Sequence, residues 1–216
     1  MSSLLSNVRR ANIAHCVLLI CDIQDKFSPL IHRGATVITR ATLLNDAAKV
    51  LNIPVVITEQ YPKAFGSTVP ELVVHPGSTQ VFQKRRFSML TDDVVPALDV
   101  WRPTSWSETP EQRYQYILCG VEAHVCVQQT VLDLLARRHS DNIGPGDVFL
   151  VCDAVSSQRP HDRAVALARM RDAGRCAILR CAIVLPLLID HLILVTCFRC
   201  RVDNSGKLVV RPTTRR

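Results

Sequence analysis

The chain alternates between short apolar runs and longer stretches with a helical repeat. Residues 16–21, CVLLIC, are apolar without interruption and end at Asp22. A run of this kind suits a strand buried on both faces, as in a parallel sheet. Beyond it, Val37, Ala41, Leu44, Ala48 and Leu51 recur at spacings of four and three, which is one face of a helix. IPVVIT (53–58) predicts a second strand, TQVFQK (79–84) a third and YILCG (116–120) a fourth. VFLVC (148–152) predicts a fifth and CAIL (176–179) a sixth. Helices are expected over 125–138 and over 161–173, the latter closed by Gly174. The stretch 61–78, with three prolines and two glycines, reads as a long loop; so does the polar 101–115, and NIGPGD is a turn. Strands alternating with helices define an α/β, doubly wound sheet.

In such sheets ligands bind beyond the carboxyl ends of the strands. Strand one ends in Asp22, strand two in Thr58-Glu59-Gln60-Tyr61, strand three in Lys84, and strand four leads to Glu122, His124 and Cys126. Together these offer a carboxylate, an ammonium and a thiol. A thiolate is favoured at a helix start and beside a cation. Cys126 therefore reads as a nucleophile, Lys84 as its cation and Asp22 as the group that takes and returns the proton. Backbone N–H groups at the same helix start could hold an oxyanion. His124 reads as a capping or exposed side chain ahead of a pocket residue.

Composition adds limits. With 216 residues, 48% hydrophobic and 21% charged, the chain has the make-up of a globular domain with a sizeable core. Nine cysteines fall mostly in apolar runs, where thiols behave as small buried hydrophobes. An odd count without a secretory signal favours a reducing compartment. A cytoplasmic setting is expected; Arg9, Arg10 and three serines without an acid in residues 1–15 keep a mitochondrial leader open as the alternative to a plain lead-in. The net charge is +7; from Arg199 onward six basic residues stand against Asp203 alone, so that segment carries +5 of it. The excess belongs to a basic tail, 199–216, and not to a nucleic-acid groove. Residues 177–198 are strongly apolar but broken by Arg180, Pro186, Asp190 and His191, which suits a buried strand and helix better than a membrane span. Cys176, Cys181, Cys197 and Cys200 have a loose zinc-ribbon spacing without the turn residues such a knuckle uses.

Five segments carry a resemblance: LLICDIQDKF, VVITEQYPKAFGSTVPEL, FQKRRFSML, ILCGVEAHVCVQQTVLDLL and VCDAVSSQRPHDRAVALARM. In this order, from about Cys16 to Gly174, they resemble the isochorismatase-like hydrolases, closest to the eukaryotic isochorismatase domain-containing branch. The resemblance implies a Rossmann-like three-layer α/β/α sandwich with a mainly parallel six-stranded sheet. It implies a catalytic triad of Asp22, Lys84 and Cys126. It also implies a cis peptide at Val121–Glu122, an oxyanion hole from the Glu122 and Cys126 N–H groups, and a substrate pocket near Phe27, Tyr61 and Phe87. Nicotinamidase relatives hold a metal with Asp and His after strand two. TEQYPKAFG supplies neither, so no metal and no cofactor is expected. The polar motif that follows Gly174 in the family is missing, which makes 175–198 an atypical end to a domain spanning 16–198. The expected activity is cysteine-dependent hydrolysis of a small amide or related C–N bond, in a homo-oligomer with a small-molecule substrate. Vinyl-ether hydrolysis, a catalytically degenerate interaction protein, and the ribonuclease label of some protozoan relatives are the alternatives.

Overall fold

The computed structural model describes residues 15–72, 74–101, 114–140, 147–174, 176–184, 198–202 and 208–212. Six strands build one sheet: β1 (Cys16–Cys21), β2 (Val55–Gln60), β3 (Thr79–Lys84), β4 (Gln115–Val121), β5 (Asp147–Ser156) and β6 (Cys176–Leu179). Every pairing is parallel, in the order β3-β2-β1-β4-β5-β6. The chain winds outward from β1 to β3, then returns to the other side of β1 with β4. That reversal opens a crevice between the carboxyl ends of β1 and β4.

Helices α1 (Gly34–Val50), α2 (Pro62–Phe65, a single turn), α3 (Val94–Val100), α4 (Gln128–Ser140) and α5 (Pro160–Asp172) accompany the sheet. Alternate β1 residues explain the layering. Leu18 and Ile20 share a core with Val37, Ala41, Leu44 and Ala48 of α1. Val17, Leu19 and Cys21 share the other core with Val94 and Leu98 of α3, Val131 and Leu134 of α4, and Ala166 and Met170 of α5. Both faces are covered, so the strand needs no polar side, and the sequence shows none. The result is the expected α/β/α sandwich.

The atypical end still contributes to the sheet. β6 pairs with β5 from Val148↔Cys176 to Val151↔Leu179. The chain then turns helical at 181–184, where the buried Cys181 and Val184 join the α1-side core. Asp153 Oδ1 accepts the Cys181 N–H at 2.7 Å and fixes that turn to β5. Within the segment expected as a basic tail, β7 (Phe198–Val202) and β8 (Leu208–Pro212) pair antiparallel. The N-terminal lead-in through residue 14, most of the 101–115 loop, NIGPG (142–146) and 185–197 fall outside the described residues, and with them Cys197 of the zinc spacing. Among the described residues no helix is long and apolar enough to cross a membrane.

Candidate active site

Asp22 is the first residue past β1 and adopts a left-handed φ of 54°, a conformation aspartate tolerates better than most residues. Its N–H donates to the Thr58 carbonyl at 3.1 Å. The side chain is wholly buried. Oδ1 accepts from Thr58 Oγ1 at 2.8 Å, and Oδ2 accepts from Lys84 Nζ at 2.7 Å. Burial pushes the Asp22 carboxyl above the usual carboxylate range, against the pull of Lys84, Thr58 and Cys126 in the other direction. A carboxylate shifted upward is a better proton acceptor at neutral pH.

Lys84 closes β3, two strands away from β1. Its ammonium is buried and donates to Asp22 Oδ2, to Gln60 Oε1 at 2.8 Å, and to the Arg86 and Phe87 carbonyls at 3.1 and 2.9 Å. Burial alone would lower its pKa; Cys21, Asp22 and Cys126 around it raise it above the ordinary lysine value. Lys84 therefore acts as a fixed cation whose every donor is occupied. Gln60 is itself held by Gln24, whose Nε2 donates to the Gln60 and Gly66 carbonyls and whose Oε1 accepts the Gln60 N–H.

Cys126 comes from the turn after β4. The expected helix start is a π-helical turn, Ala123–Val127, that runs into α4. Val125 and Val127 both donate their N–H groups to the Glu122 carbonyl. Cys126 is 5% exposed, and its thiol lies within hydrogen-bonding reach of the Asp22 carboxylate and against the Cys21 thiol. Its carbonyl accepts from Thr130 Oγ1 at 2.7 Å, and that hydroxyl accepts the Met89 N–H at 2.9 Å. Thr130 thus ties the cysteine turn to the segment that carries the Lys84 acceptors.

Gly120 makes this approach possible. It lies opposite Cys21 in the β1–β4 register, at φ 138°. A Cβ there would sit 2.2 Å from the Cys21 carbonyl oxygen and 2.6 Å from its Cβ. Changing Gly120 to Ala is expected to cost about 2 kcal/mol or more through strain and clash and to pull Cys126 away from Asp22. Thermal unfolding checks this; an unchanged midpoint would contradict the close packing of β1 on β4. One expectation is corrected here: among the described residues no peptide bond is cis, so Val121–Glu122 is trans. The strand end bends at Gly120, and Glu122 continues it at φ −39°, ψ 110°.

The remaining expected residues divide. Tyr61, 43% exposed, carries the Arg85 guanidinium 5.6 Å above its ring. It lines a pocket of about 170 Å³ with Pro62, Lys63, Gln83, Lys84 and Arg85. Phe87 is 58% exposed beside that edge. Phe27 instead is buried against Phe65, with ring centroids 4.8 Å apart. The Glu122 side chain is buried, and its Oε1 accepts the Gln158 N–H at 3.3 Å. His124 bridges the cysteine turn to α5: Nδ1 is 3.1 Å from both Ser157 Oγ and Glu122 Oε2, and Nε2 is 3.9 Å from Asp162 Oδ2. Glu59 spends its carboxylate on the Thr68 N–H and hydroxyl. Among the described residues no three His, Cys, Asp or Glu side chains are grouped to hold a metal ion.

Sequence reasoning named Thr58 and Gln60 only as part of the strand-two end, without a role, and did not name Gln24 or Thr130 as parts of the site. Their one signal is a polar residue beside or within an apolar segment, which by itself names no partner. Cys21 was read as a packed hydrophobe, although it borders the Cys126 thiol.

The comparisons with known proteins agree with this architecture. The Isochorismatase domain family model matches residues 16–182, which takes in every side chain of the cluster. Isochorismatase domain-containing protein 2 of Danio rerio is 38% identical over 170 residues, covering 79% of this chain and 77% of its own. The secreted isochorismatase effector Isc1 of Phytophthora sojae is 41% identical over 161 residues, covering 73% and 70%. Among solved structures, the MAR1 ribonuclease from Caenorhabditis elegans shares 35% identity and a TM-score of 0.71, with 84% of each chain covered. A family match that runs from the first residue of β1 past the end of β6, on a sheet whose switch point gathers Asp22, Lys84 and Cys126, makes this chain a member of the isochorismatase family, with a hydrolase domain of that type.

Proposed function

We propose that the chain is a cysteine hydrolase that cleaves a small amide or related C–N bond. One observation carries the reading: the Cys126 thiol lies in reach of a buried carboxylate, Asp22, that also accepts from a buried ammonium, Lys84, 2.7 Å away. In this mechanism Asp22 takes the thiol proton as Cys126 Sγ attacks the substrate carbon. Lys84 balances the charge that remains. The Glu122 and Cys126 N–H groups are assigned to the developing oxyanion. As the tetrahedral intermediate collapses, Asp22 returns the proton to the leaving nitrogen. A water, deprotonated by the same carboxylate, then releases the acyl group from sulfur. Tyr61 and Phe87 form the aromatic rim for the substrate, with Phe27 supporting it from beneath Phe65. The expected homo-oligomer and intracellular setting belong to this reading.

A screen of amides, ureides and esters against the wild type and Cys126→Ala tests it. Turnover that requires Cys126 supports the reading, and turnover equal in both proteins removes it. Activity on any substrate found is expected to survive EDTA, because TEQYPKAFG lacks the imidazoles a divalent site prefers. Loss on chelation, restored by Zn²⁺ or Mn²⁺, would restore a metal mechanism.

A second reading, RNA cleavage, draws on the likeness to the MAR1 ribonuclease from Caenorhabditis elegans. It also draws on Tyr61, Lys63, Arg85, Arg86 and Phe87, which stand exposed along one edge of the site. Bases stack on such aromatics while cations meet phosphates. The thiol–carboxylate pair favours carbonyl chemistry over phosphodiester chemistry, which places this reading second. Cleavage of a labelled single-stranded RNA by the wild type but not by Cys126→Ala would reverse the order.

A further inference from the structure

The hydrolytic mechanism leaves one buried thiol at the site without a task. Cys21 is fully buried at the end of β1. It shares the α4-side core with Cys126, and the two thiols lie against each other. The Cys21 Sγ–H also points at Asp22, 3.5 Å from Oδ2, the oxygen that Lys84 holds. Gly120 permits this crowding, since any side chain there would strike Cys21. Among the described thiols, Cys119 faces the opposite core with Cys181, and Cys16 lies at the far end of β1. Cys21 is thus placed to react with the same atom that the substrate meets, and Asp22 can serve both sulfurs as proton acceptor.

We infer that Cys21 is a resolving thiol: a hydroperoxide oxidises Cys126, and Cys21 captures the oxidised sulfur as a Cys21–Cys126 disulfide that switches the site off reversibly. In the first step the Cys126 thiolate attacks the peroxide, an S–O bond forms and the O–O bond breaks. The proton stored on Asp22 leaves with the hydroxide as water, and the sulfur, oxidised by two electrons, becomes a sulfenic acid. In the second step Asp22 takes the Cys21 proton and the Cys21 sulfur attacks Cys126 Sγ. The S–S bond forms, the S–O bond breaks, and the hydroxide leaves with that proton as a second water. With hydrogen peroxide as the hydroperoxide, the sum is two thiols and one peroxide giving one disulfide and two waters. The order of events follows from environment. Burial holds the Cys21 thiol well above the ordinary range, with Cys126 and Asp22 adding to it, so Cys21 stays protonated until a sulfenic acid appears beside it. A buried sulfenic acid without such a partner proceeds with further peroxide to sulfinic acid, which a thiol reductant does not reverse.

The inference rests on Cys126 being the reactive thiol, and the experiment separates the two. Reduced full-length protein is first labelled with a chloroacetamide probe, and parallel unlabelled samples are treated with hydrogen peroxide, then with dithiothreitol. Wild type is expected to give a linked Cys21–Cys126 peptide, to lose probe labelling at Cys126, and to regain it fully after reduction. Cys21→Ala and Cys21→Ser are expected to label before peroxide as the wild type does. After peroxide they should accumulate sulfinic acid at Cys126 and regain little labelling. Sulfinic acid forming as fast in wild type as in both variants, or Cys126 linking to a different cysteine, overturns the inference while leaving the nucleophile in place. No labelling of Cys126 before peroxide removes both.

Discussion

Changing Cys126 to alanine is expected to lower turnover by at least about a thousandfold, the scale seen when a covalent nucleophile is removed, while leaving the fold intact. The side chain is 5% exposed and small, and its loss removes little apolar packing. The turn that carries it is held by the backbone bonds from Val125 and Val127 to the Glu122 carbonyl and by Thr130. Thermal unfolding of the variant should therefore stay within a few degrees of wild type. The informative substitution beside it is Cys126→Ser, which keeps the shape and removes the sulfur. A serine variant with near wild-type turnover would mean that the sulfur is not what attacks the substrate.

Replacing Lys84 by methionine has the largest expected effect on stability. The ammonium and the Asp22 carboxylate are both fully buried. Removing one partner of a buried pair leaves the other charge without compensation, at a cost of about 3–5 kcal/mol, or roughly 6–20 °C in the midpoint of a domain this size. The Gln60 side chain and the Arg86 and Phe87 carbonyls would lose their donor as well. Pairing Lys84→Met with Asp22→Asn removes both charges and is expected to recover much of the lost stability. Activity should not return, because the proton carrier is then gone as well. Recovery of stability without recovery of turnover is the signature of a pair kept for chemistry. A Lys84→Met protein as stable and as active as wild type would show that the pair serves neither role.

The central strand β1 was legible because its burial is two-sided, while the edge strands β3 and β6 are only partly buried. CVLLIC, TQVFQK and CAIL match β1, β3 and β6 residue for residue. β2 begins two residues later than IPVVIT implies. The Ile53 N–H still donates to Ala48 at the end of α1, and Pro54 has no N–H to give; the ladder to β3 starts with Val55 and runs on through the polar Glu59 and Gln60. That polar extension places Lys84 opposite Gln60. α3, VVPALDV, escaped because its proline sits in the first turn, where a helix tolerates it. The ribbon of β7 and β8 was written in the alternation of FRCRV, but the charge excess drew the reading towards a tail.

The site was legible to the extent that it hangs from strand ends. Asp22 and Cys126 follow apolar runs, Lys84 closes the mixed strand TQVFQK, and the sheet order brings those three ends together. What supports them depends on register across 36 or more positions of sequence, as with Thr58 on Asp22 and Gln24 on Gln60. No local pattern carries that information. The aromatic residues show the same limit. Tyr61 and Phe87 stand exposed, while Phe27 is buried against Phe65, a difference that residue type does not show.

Cys126 is expected to be made reactive by Asp22 and Lys84, in contrast to Cys16, Cys21, Cys119 and Cys181. Burial pushes Cys16 and Cys181 up to about 12 and drives Cys21 and Cys119 well above the ordinary range, so these thiols stay protonated and slow at neutral pH. Time-resolved chloroacetamide labelling with peptide mapping, run on wild type and Lys84→Met, tests this in one measurement. Cys126 is expected to be modified well ahead of Cys16, Cys21, Cys119 and Cys181 in wild type, and its lead to shrink sharply in Lys84→Met. Uniform slow labelling of all five, or a Cys126 rate unchanged by the loss of Lys84, would contradict it.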